Sequence, residues 1–109
     1  MKDDLVYLRH IVGAIKDIES YTSGGREEFF ATKMIQDAVI RNLEIVGEAV
    51  KNLSPSIRGK HPDVPWKQIA GLRYVLIHQY FGVDVDSVWL VVESRLPGLL
   101  QRLEPLLGV

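Results

Sequence analysis

The chain lacks cysteine, so it can form neither a disulfide bond nor a metal site built on thiolates. The absence of disulfide bonds is compatible with a reducing compartment such as the cytosol. The first ten residues carry Asp3 and Asp4 where a secretory signal would be basic, and they contain no apolar stretch. No apolar run reaches the roughly 20 residues that a membrane-spanning helix needs. We therefore expect a soluble, cytoplasmic protein that makes no contact with a membrane.

The chain also lacks a strong excess of charge, with a net value of -1, so the whole molecule does not have the composition of a nucleic-acid-binding protein. The charges are unevenly distributed. Residues 1–50 hold 6 basic and 9 acidic side chains, and residues 74–109 hold 2 and 4. Residues 51–73 hold five basic side chains against one acid: Lys51, Arg58, Lys60, Lys67 and Arg73 against Asp63. This local excess suits a phosphate backbone, although an ordinary solvated face would look the same.

Apolar residues recur at steps of three and four, which predicts helices over residues 3–21 and about 33–53. Pro65 suits the first turn of a third helix, and Asp84 or Asp86 could cap a fourth, in which Pro97 either makes a kink or opens a new helix. The predicted inward positions are Leu5, Leu8, Val12, Ile15 and Ile18 in the first helix, Ile35, Val39, Leu43, Val46, Val50 and Leu53 in the second, Trp66, Ile69, Leu72, Leu76 and Ile77 in the third, and Val88, Val92, Leu96, Leu99, Leu103 and Leu106 in the last.

Strand signals are weak, and 109 residues are enough for one hydrophobic core but too few for two. We therefore predict a single all-α domain over residues 1–109. Its architecture would be an antiparallel up-down bundle of four main helices plus short helical turns, because mostly short connections join the helices. Trp66 and Trp89 fall within the apolar helical pattern, which favours a place in the core for both.

A short constellation of polar residues follows the basic stretch: Arg73, His78 and Tyr80 form the pattern R-x4-H-x-Y. Histidine titrates near neutral pH and can move a proton, and a guanidinium matches the oxygens of a phosphate group. Both are needed to cleave RNA, which carries its own nucleophile in the 2′-hydroxyl group. The histidines of the chain, His10, His61 and His78, have no ligand-like spacing, so we assign no metal and no cofactor.

The geometry of a regular helix does not bring all three side chains to one point. At about 100° per residue, Arg73 and Tyr80 lie two turns apart on nearly the same face, whereas His78 lies roughly 140° from Arg73. Either the helix loosens near Gly82, or the groups converge only when two copies of the chain pack together.

The segment Gly71 to Asp84 resembles the signature of the HEPN superfamily, and specifically of the HepT-like toxin family. The resemblance extends to IRNLEIVGEAVKNLS, residues 40–54, and to HPDVPWKQIAGLR, residues 61–73. It implies a helical-bundle ribonuclease that acts on RNA as a homodimer, with Arg73 and His78 as its catalytic pair. It also implies a nucleotidyltransferase antitoxin that silences the toxin by transferring AMP to Tyr80, which lines the cleft.

One residue departs from the family pattern. The family usually has a polar residue directly after the arginine, whereas this chain has Tyr74, a possible supporting residue of the site. The departure favours an alternative function, in which a non-catalytic helical dimer binds a nucleotidyltransferase partner or a nucleotide. A third interpretation, a plain helical scaffold, leaves the Arg73–His78–Tyr80 spacing as a coincidence.

A polar stripe on the second long helix has two interpretations. Asp37, Arg41, Glu44 and Glu48 step by four, three and four, so they share one face. They form either a solvated face with ion pairs or the border of a cleft, in which Arg41 or Glu48 positions Arg73 or His78.

Overall fold

The regular structure is helical throughout the part of the chain that the computed structural model describes, residues 3–71 and 84–108. The helices are α1 (Asp4–Tyr21), α2 (Arg26–Ala31), α3 (Lys33–Lys51), α4 (Pro55–Lys60), α5 (described over residues 66–71), α6 (Val85–Leu90) and α7 (Leu96–Leu103). A π-helical turn, Val91–Arg95, joins α6 to α7, and a 3-10 turn, Glu104–Leu107, follows α7. The prediction of an all-α fold is confirmed.

Helices α1 and α3 are the two longest helices among the described residues, and they pack against each other in opposite directions. Their relative direction follows from Asp4 at the start of α1, which contacts Ser54 just beyond the end of α3. The apolar stripes of both helices face the core, where Ile15 and Ile18 of α1 and Val39 and Val46 of α3 are fully buried.

The predicted inward position of Leu5 is wrong, because its side chain is 41% exposed. Leu5 lies on the same helical face as Leu8 and Val12, but it belongs to the first turn of α1. That turn lies beside Ser54, which follows the end of α3 at Lys51. Helix α3 therefore does not extend far enough to cover the side chain of Leu5.

Between the two long predicted helices, residues Arg26–Ala31 form a short helix of their own, α2. Its Phe29 is fully buried and packs against Trp89, with the ring centroids 5.1 Å apart. The side-chain amide of Gln36 in α3 donates hydrogen bonds to the backbone oxygens of Phe29 and Phe30, at 3.1 and 3.2 Å. These contacts hold α2 against both α3 and α6, and Trp89 is partly buried at the edge of the core.

Pro97 lies in the first turn of α7, so of the two predicted alternatives it is the opening of a new helix that occurs. Because proline has no backbone N–H, it cannot donate to the carbonyl four residues earlier. The turn before it is π-helical, with the N–H of Leu96 bonded to the carbonyl of Val91, five residues back. The apolar stripe continues across this wider turn, and Val92, Leu96, Leu99 and Leu103 remain buried.

Among residues 3–71 and 84–108, no helix is both long enough and apolar enough to cross a membrane.

Candidate functional site

The residues of the R-x4-H-x-Y pattern lie between the two described ranges. Arg73, Tyr74, His78 and Tyr80 belong to residues 72–83, so the predictions about their geometry fall outside the described residues. The predicted core positions Leu72, Leu76 and Ile77 fall there too, as does Gly82, near which the helix could loosen. The structure does describe the two elements that lead into and out of this segment, together with the helices packed around them.

The element that leads into the segment is α5, which is fixed to the core at its first turns. Trp66 is 7% exposed and Ile69 is 6% exposed, as predicted for core residues. The indole N–H of Trp66 donates to the backbone oxygen of His61 at 2.9 Å, which holds the loop before α5 against the helix. Pro65 directly precedes the helical residues, and its carbonyl accepts the first backbone hydrogen bond, from Ile69.

The element that leads out of the segment is α6, which starts at a well-formed cap. The carboxylate of Asp84 accepts hydrogen bonds from the backbone N–H of Asp86 and from the hydroxyl of Ser87, both at 3.0 Å. A capping aspartate stabilises a helix start because it pairs a backbone N–H that the helix itself leaves free. Of the two predicted caps, Asp84 is therefore the one that forms.

The basic stretch that precedes the motif is largely solvent-facing. Lys51, Lys60 and Lys67 are exposed, and Arg58 is half-buried. The acid of this stretch, Asp63, lies 3.8 Å from Nε of Arg102 in α7. The fold thus adds an arginine from the C-terminal part of the chain to the basic residues that lead towards Arg73.

The polar stripe of α3 carries ion pairs within the helix. Lys33 pairs with Asp37 at 3.0 Å, and Arg41 pairs with Glu44 at 3.5 Å. The side chain of Arg41 is 71% exposed, and Glu48 accepts a hydrogen bond from Asn52 through its backbone oxygen. These contacts agree with the solvated-face interpretation, while the supporting roles of Arg41 and Glu48 stay predictions.

The sequence did not predict a groove of about 320 Å³ between α5 and residues 91–102, which form the π-helical turn and most of α7. The described part of its lining combines apolar side chains with two arginines and two uncharged polar groups: Pro65, Gln68, Ile69, Val91, Ser94, Arg95, Leu96, Gly98, Leu99 and Arg102. The sequence could have predicted the basic side of the groove, because Arg95 and Arg102 are seven residues apart and therefore fall on one helical face. No comparable pattern in residues 65–69 predicts the α5 side of the groove.

The described elements define the class of the protein: a small all-α domain in which anchored helices flank a segment that carries arginine, histidine and tyrosine. Comparison with known proteins then gives its family. The family model described as "Ribonuclease HepT-like" matches residues 11–106. The chain therefore belongs to the HepT-like ribonuclease family.

Individual relatives agree with this assignment. A "Probable ribonuclease HepT" of Thermococcus cleftensis is 45% identical over 101 residues, which cover 92% of each chain. A Methanocaldococcus jannaschii protein named "Gamma-glutamylcyclotransferase and putative RNase" is 47% identical over 103 residues. That match covers 94% of this chain but 46% of the relative, so the chain spans about half the length of that protein. No solved structure matches the chain.

Proposed function

We propose that this chain is a metal-independent endoribonuclease and the toxin of a toxin–antitoxin pair. The observation that carries the proposal is the family match over residues 11–106, which spans the complete Arg73–His78–Tyr80 pattern. Relatives of similar length carry ribonuclease names, including the Thermococcus cleftensis protein. The chemistry of the patterned side chains is sufficient for RNA cleavage without a metal ion.

The proposed reaction is an internal transesterification. His78 accepts the proton of a 2′-hydroxyl group as that oxygen attacks the adjacent phosphorus. An O2′–P bond forms, the P–O5′ bond breaks, and the departing 5′ oxygen takes a proton from water. Arg73 stabilises the negative charge that builds up on the phosphate oxygens, because its planar guanidinium can donate two parallel hydrogen bonds. The products are a 2′,3′-cyclic phosphate end and a 5′-hydroxyl end.

The exposed basic residues that precede the motif in the chain support an RNA substrate. Lys60 and Lys67 are exposed on the elements that lead to Arg73. Basic side chains of this kind attract a nucleic-acid backbone regardless of its sequence, and their contribution weakens as salt concentration rises.

We further propose that activity is controlled by a partner protein in the cytoplasm. A nucleotidyltransferase antitoxin would transfer AMP to the hydroxyl of Tyr80. The added phosphate would offer Arg73 a competing anion, much as phosphorylation recruits arginines, and the purine would fill space that RNA needs. The protein would act as a homodimer in which the two motifs share one cleft.

A second candidate function has its own motivating residue. Tyr74 stands where the family usually has a polar side chain, and that side chain could orient the arginine or contact the phosphate. A chain without it could retain the helical dimer and its binding surface while losing cleavage. In this case the protein would be a binding module for a nucleotidyltransferase or a nucleotide.

A substrate that lacks the nucleophile tests the proposed reaction. The purified protein is incubated with an RNA oligonucleotide and with one of the same sequence that is 2′-O-methylated throughout, and the product ends are identified by mass spectrometry. We expect cleavage of the first only, with 2′,3′-cyclic phosphate and 5′-hydroxyl ends. Cleavage of the methylated strand, or 5′-phosphate ends, would contradict the mechanism. Absence of cleavage of either strand, and of other RNAs of varied sequence, would support the binding module instead.

A further inference from the structure

The groove between α5 and residues 91–102 combines an apolar wall with a polar, basic rim. Its apolar wall is provided by Pro65, Ile69 and Leu99, and Ile69 and Leu99 are each 6% exposed. Its polar rim is provided by Gln68, Ser94, Arg95 and Arg102. A volume of about 320 Å³ falls within the range of small-molecule pockets. The described lining contains two arginines and no carboxylate, so it favours an anionic ligand.

The two arginines remain available to such a ligand. The side chain of Arg102 is 51% exposed, and it is oriented by a hydrogen bond from Nη1 to the backbone oxygen of Asp63 at 3.4 Å. The Asp63 carboxylate is 3.8 Å from Nε, a long separation for an exposed ion pair, which contributes little to stability. Arg95 is exposed at the end of the π-helical turn. Both guanidinium groups can therefore bind a phosphate group without the loss of a strong contact within the protein.

The spacing of the arginines suits a strand better than a single phosphate. Seven helical residues separate their Cα atoms by about 10 Å along the axis. Successive nucleotides of a stacked strand rise by about 3.4 Å, so this separation corresponds to about three nucleotides. Leu99 lies between the two arginines along the chain, and the apolar wall to which it belongs offers a surface against which a base can lie while its phosphates contact the rim.

The position of the groove along the chain connects it with the motif. Ile69 lines the groove, and Arg73 follows it by four residues. Four residues of chain span at most about 14 Å, whatever their conformation. A strand of about four stacked nucleotides covers the same distance. RNA held in the groove can therefore be continuous with RNA that reaches the motif.

We propose that this groove binds the single-stranded RNA substrate beside the phosphate that is cleaved, through Arg95 and Arg102. The proposal rests on the proposed ribonuclease function, since it names a second contact surface for the same substrate. The groove adds affinity and holds the strand in register, and it does not take part in bond breaking. Loss of the arginines should therefore raise KM and leave kcat nearly unchanged.

Binding can be tested separately from cleavage. The His78→Ala protein, which is not expected to cleave, is titrated into a fluorescent 12-nucleotide single-stranded RNA over a range of salt concentrations. The same titration is made with two variants of this parent. One adds Arg95→Gln and Arg102→Gln, and the other adds Ser94→Glu, which places a negative charge on the rim. Matched controls are Arg9→Gln and Ser20→Glu on the exposed surface of α1. Circular dichroism verifies that each variant remains helical.

We expect the double arginine variant to bind RNA at least tenfold more weakly than its parent. For this variant, the slope of log affinity against log salt concentration should be less steep by about 1.4. Two phosphate contacts are lost, and each contact on a single strand contributes about 0.7 to the slope. Ser94→Glu should also weaken binding, whereas both α1 controls should bind as the parent does. In the protein with His78 intact, the double variant should show the same loss as a rise in KM.

Three results would overturn the proposal. Unchanged RNA affinity and salt dependence in both groove variants would remove the groove from RNA binding, even if the protein proves to be a ribonuclease. An equal loss in the α1 controls would indicate a general charge effect. Binding of AMP alone as tightly as the 12-nucleotide strand would assign the groove to a single nucleotide. A different result would contradict the ribonuclease function alone: the groove variants weaken RNA binding as expected, but the wild-type protein does not cleave RNA.

Discussion

At the scale of single residues, the proposed chemistry divides between two side chains that cannot replace each other. An imidazole with an unperturbed pKa of about 6.5 can both accept and release a proton near neutral pH. A guanidinium stays charged and can only donate hydrogen bonds, so it suits the phosphate oxygens rather than the proton transfer. This division is the reason why the proposed mechanism uses both Arg73 and His78.

Tyr80 gives the proposal a regulatory prediction. Co-expression with a cognate nucleotidyltransferase and ATP should add one AMP to the protein, about 329 Da by intact mass, on a peptide that contains Tyr80. Tyr80→Phe should remain unmodified and should not be silenced by the partner. Tyr74→Phe serves as the matched control and should still be modified. An AMP group that maps to Tyr74, or a Tyr80→Phe protein that the partner still silences through its catalysis, would remove Tyr80 from this role.

The sequence predicted the residues of the motif but not those of the groove, for a physical reason. Arg73, His78 and Tyr80 lie within eight consecutive positions, so their pattern is local and can be recognised. The lining of the groove comes from residues 65–69 and 91–102, which meet only when the chain folds. The periodicity of the sequence gives the face of each helix, but it does not give which helix packs against which.

At the scale of secondary-structure elements, a polar contact joins the start of α1 to the junction of α3 and α4. The carboxylate of Asp4 accepts hydrogen bonds from the hydroxyl and the backbone N–H of Ser54, at 2.6 and 2.8 Å. The same hydroxyl accepts from the N–H of Ile57, which caps α4. The hydrogen bonds from the side chain and backbone of Ser54 lower the pKa of Asp4 below its ordinary value.

This contact predicts a dependence of stability on pH. Because the folded state lowers the pKa of Asp4, the stabilisation is complete above its unfolded pKa of about 4 and is lost as the pH falls through the folded value. At pH 7, Asp4→Asn should reduce the free energy of unfolding by about 1 kcal/mol, since the group is partly exposed to solvent. The difference from wild type should shrink as the pH falls below about 4.

Urea unfolding followed by circular dichroism measures this difference at each pH. The matched control is Asp17→Asn, an exposed aspartate on the same helix, which should leave the free energy of unfolding nearly unchanged. A difference between wild type and Asp4→Asn that stays constant down to pH 2.5 would show that the contact does not depend on the charge of Asp4.

Prolines and long apolar stripes made most elements predictable from the sequence, while the shorter elements depended on tertiary contacts. Pro55 and Pro97 each lie in the first turn of a helix, where their missing N–H is tolerated. Helix α2 has six residues, too few to be stable without its neighbours. It forms because Phe29 packs against Trp89 and because Gln36 binds its last carbonyls, and neither contact is visible in a local pattern.

At the scale of the whole molecule, the angular offset that a regular helix would give between Arg73 and His78 leads to a prediction about assembly. The purified protein should be a homodimer by light scattering, because two copies related by a two-fold axis can bring the arginine of one chain to the histidine of the other. A strictly monomeric mass at high protein concentration would contradict a shared cleft.

Complementation tests whether the two chains share their catalytic residues. Arg73→Ala and His78→Ala proteins, each inactive alone, are co-expressed with different tags. If the site is shared, random pairing should restore about a quarter of wild-type activity, because half of the dimers are mixed and each mixed dimer has one complete site. Isolated mixed dimers without activity would show that each chain supplies both residues of its own site.

The central claim is that Arg73 and His78 cleave RNA without a metal ion, and cleavage in the presence of EDTA tests it most directly. Initial rates on a single-stranded RNA are compared for wild type, Arg73→Ala, His78→Ala and the exposed-residue controls Arg9→Ala and His10→Ala. We predict that wild type and both controls cleave the RNA at equal rates in EDTA. The two motif variants should be at least about a hundredfold slower while they keep their helicity. Activity that disappears with EDTA, or that survives His78→Ala, would contradict the account.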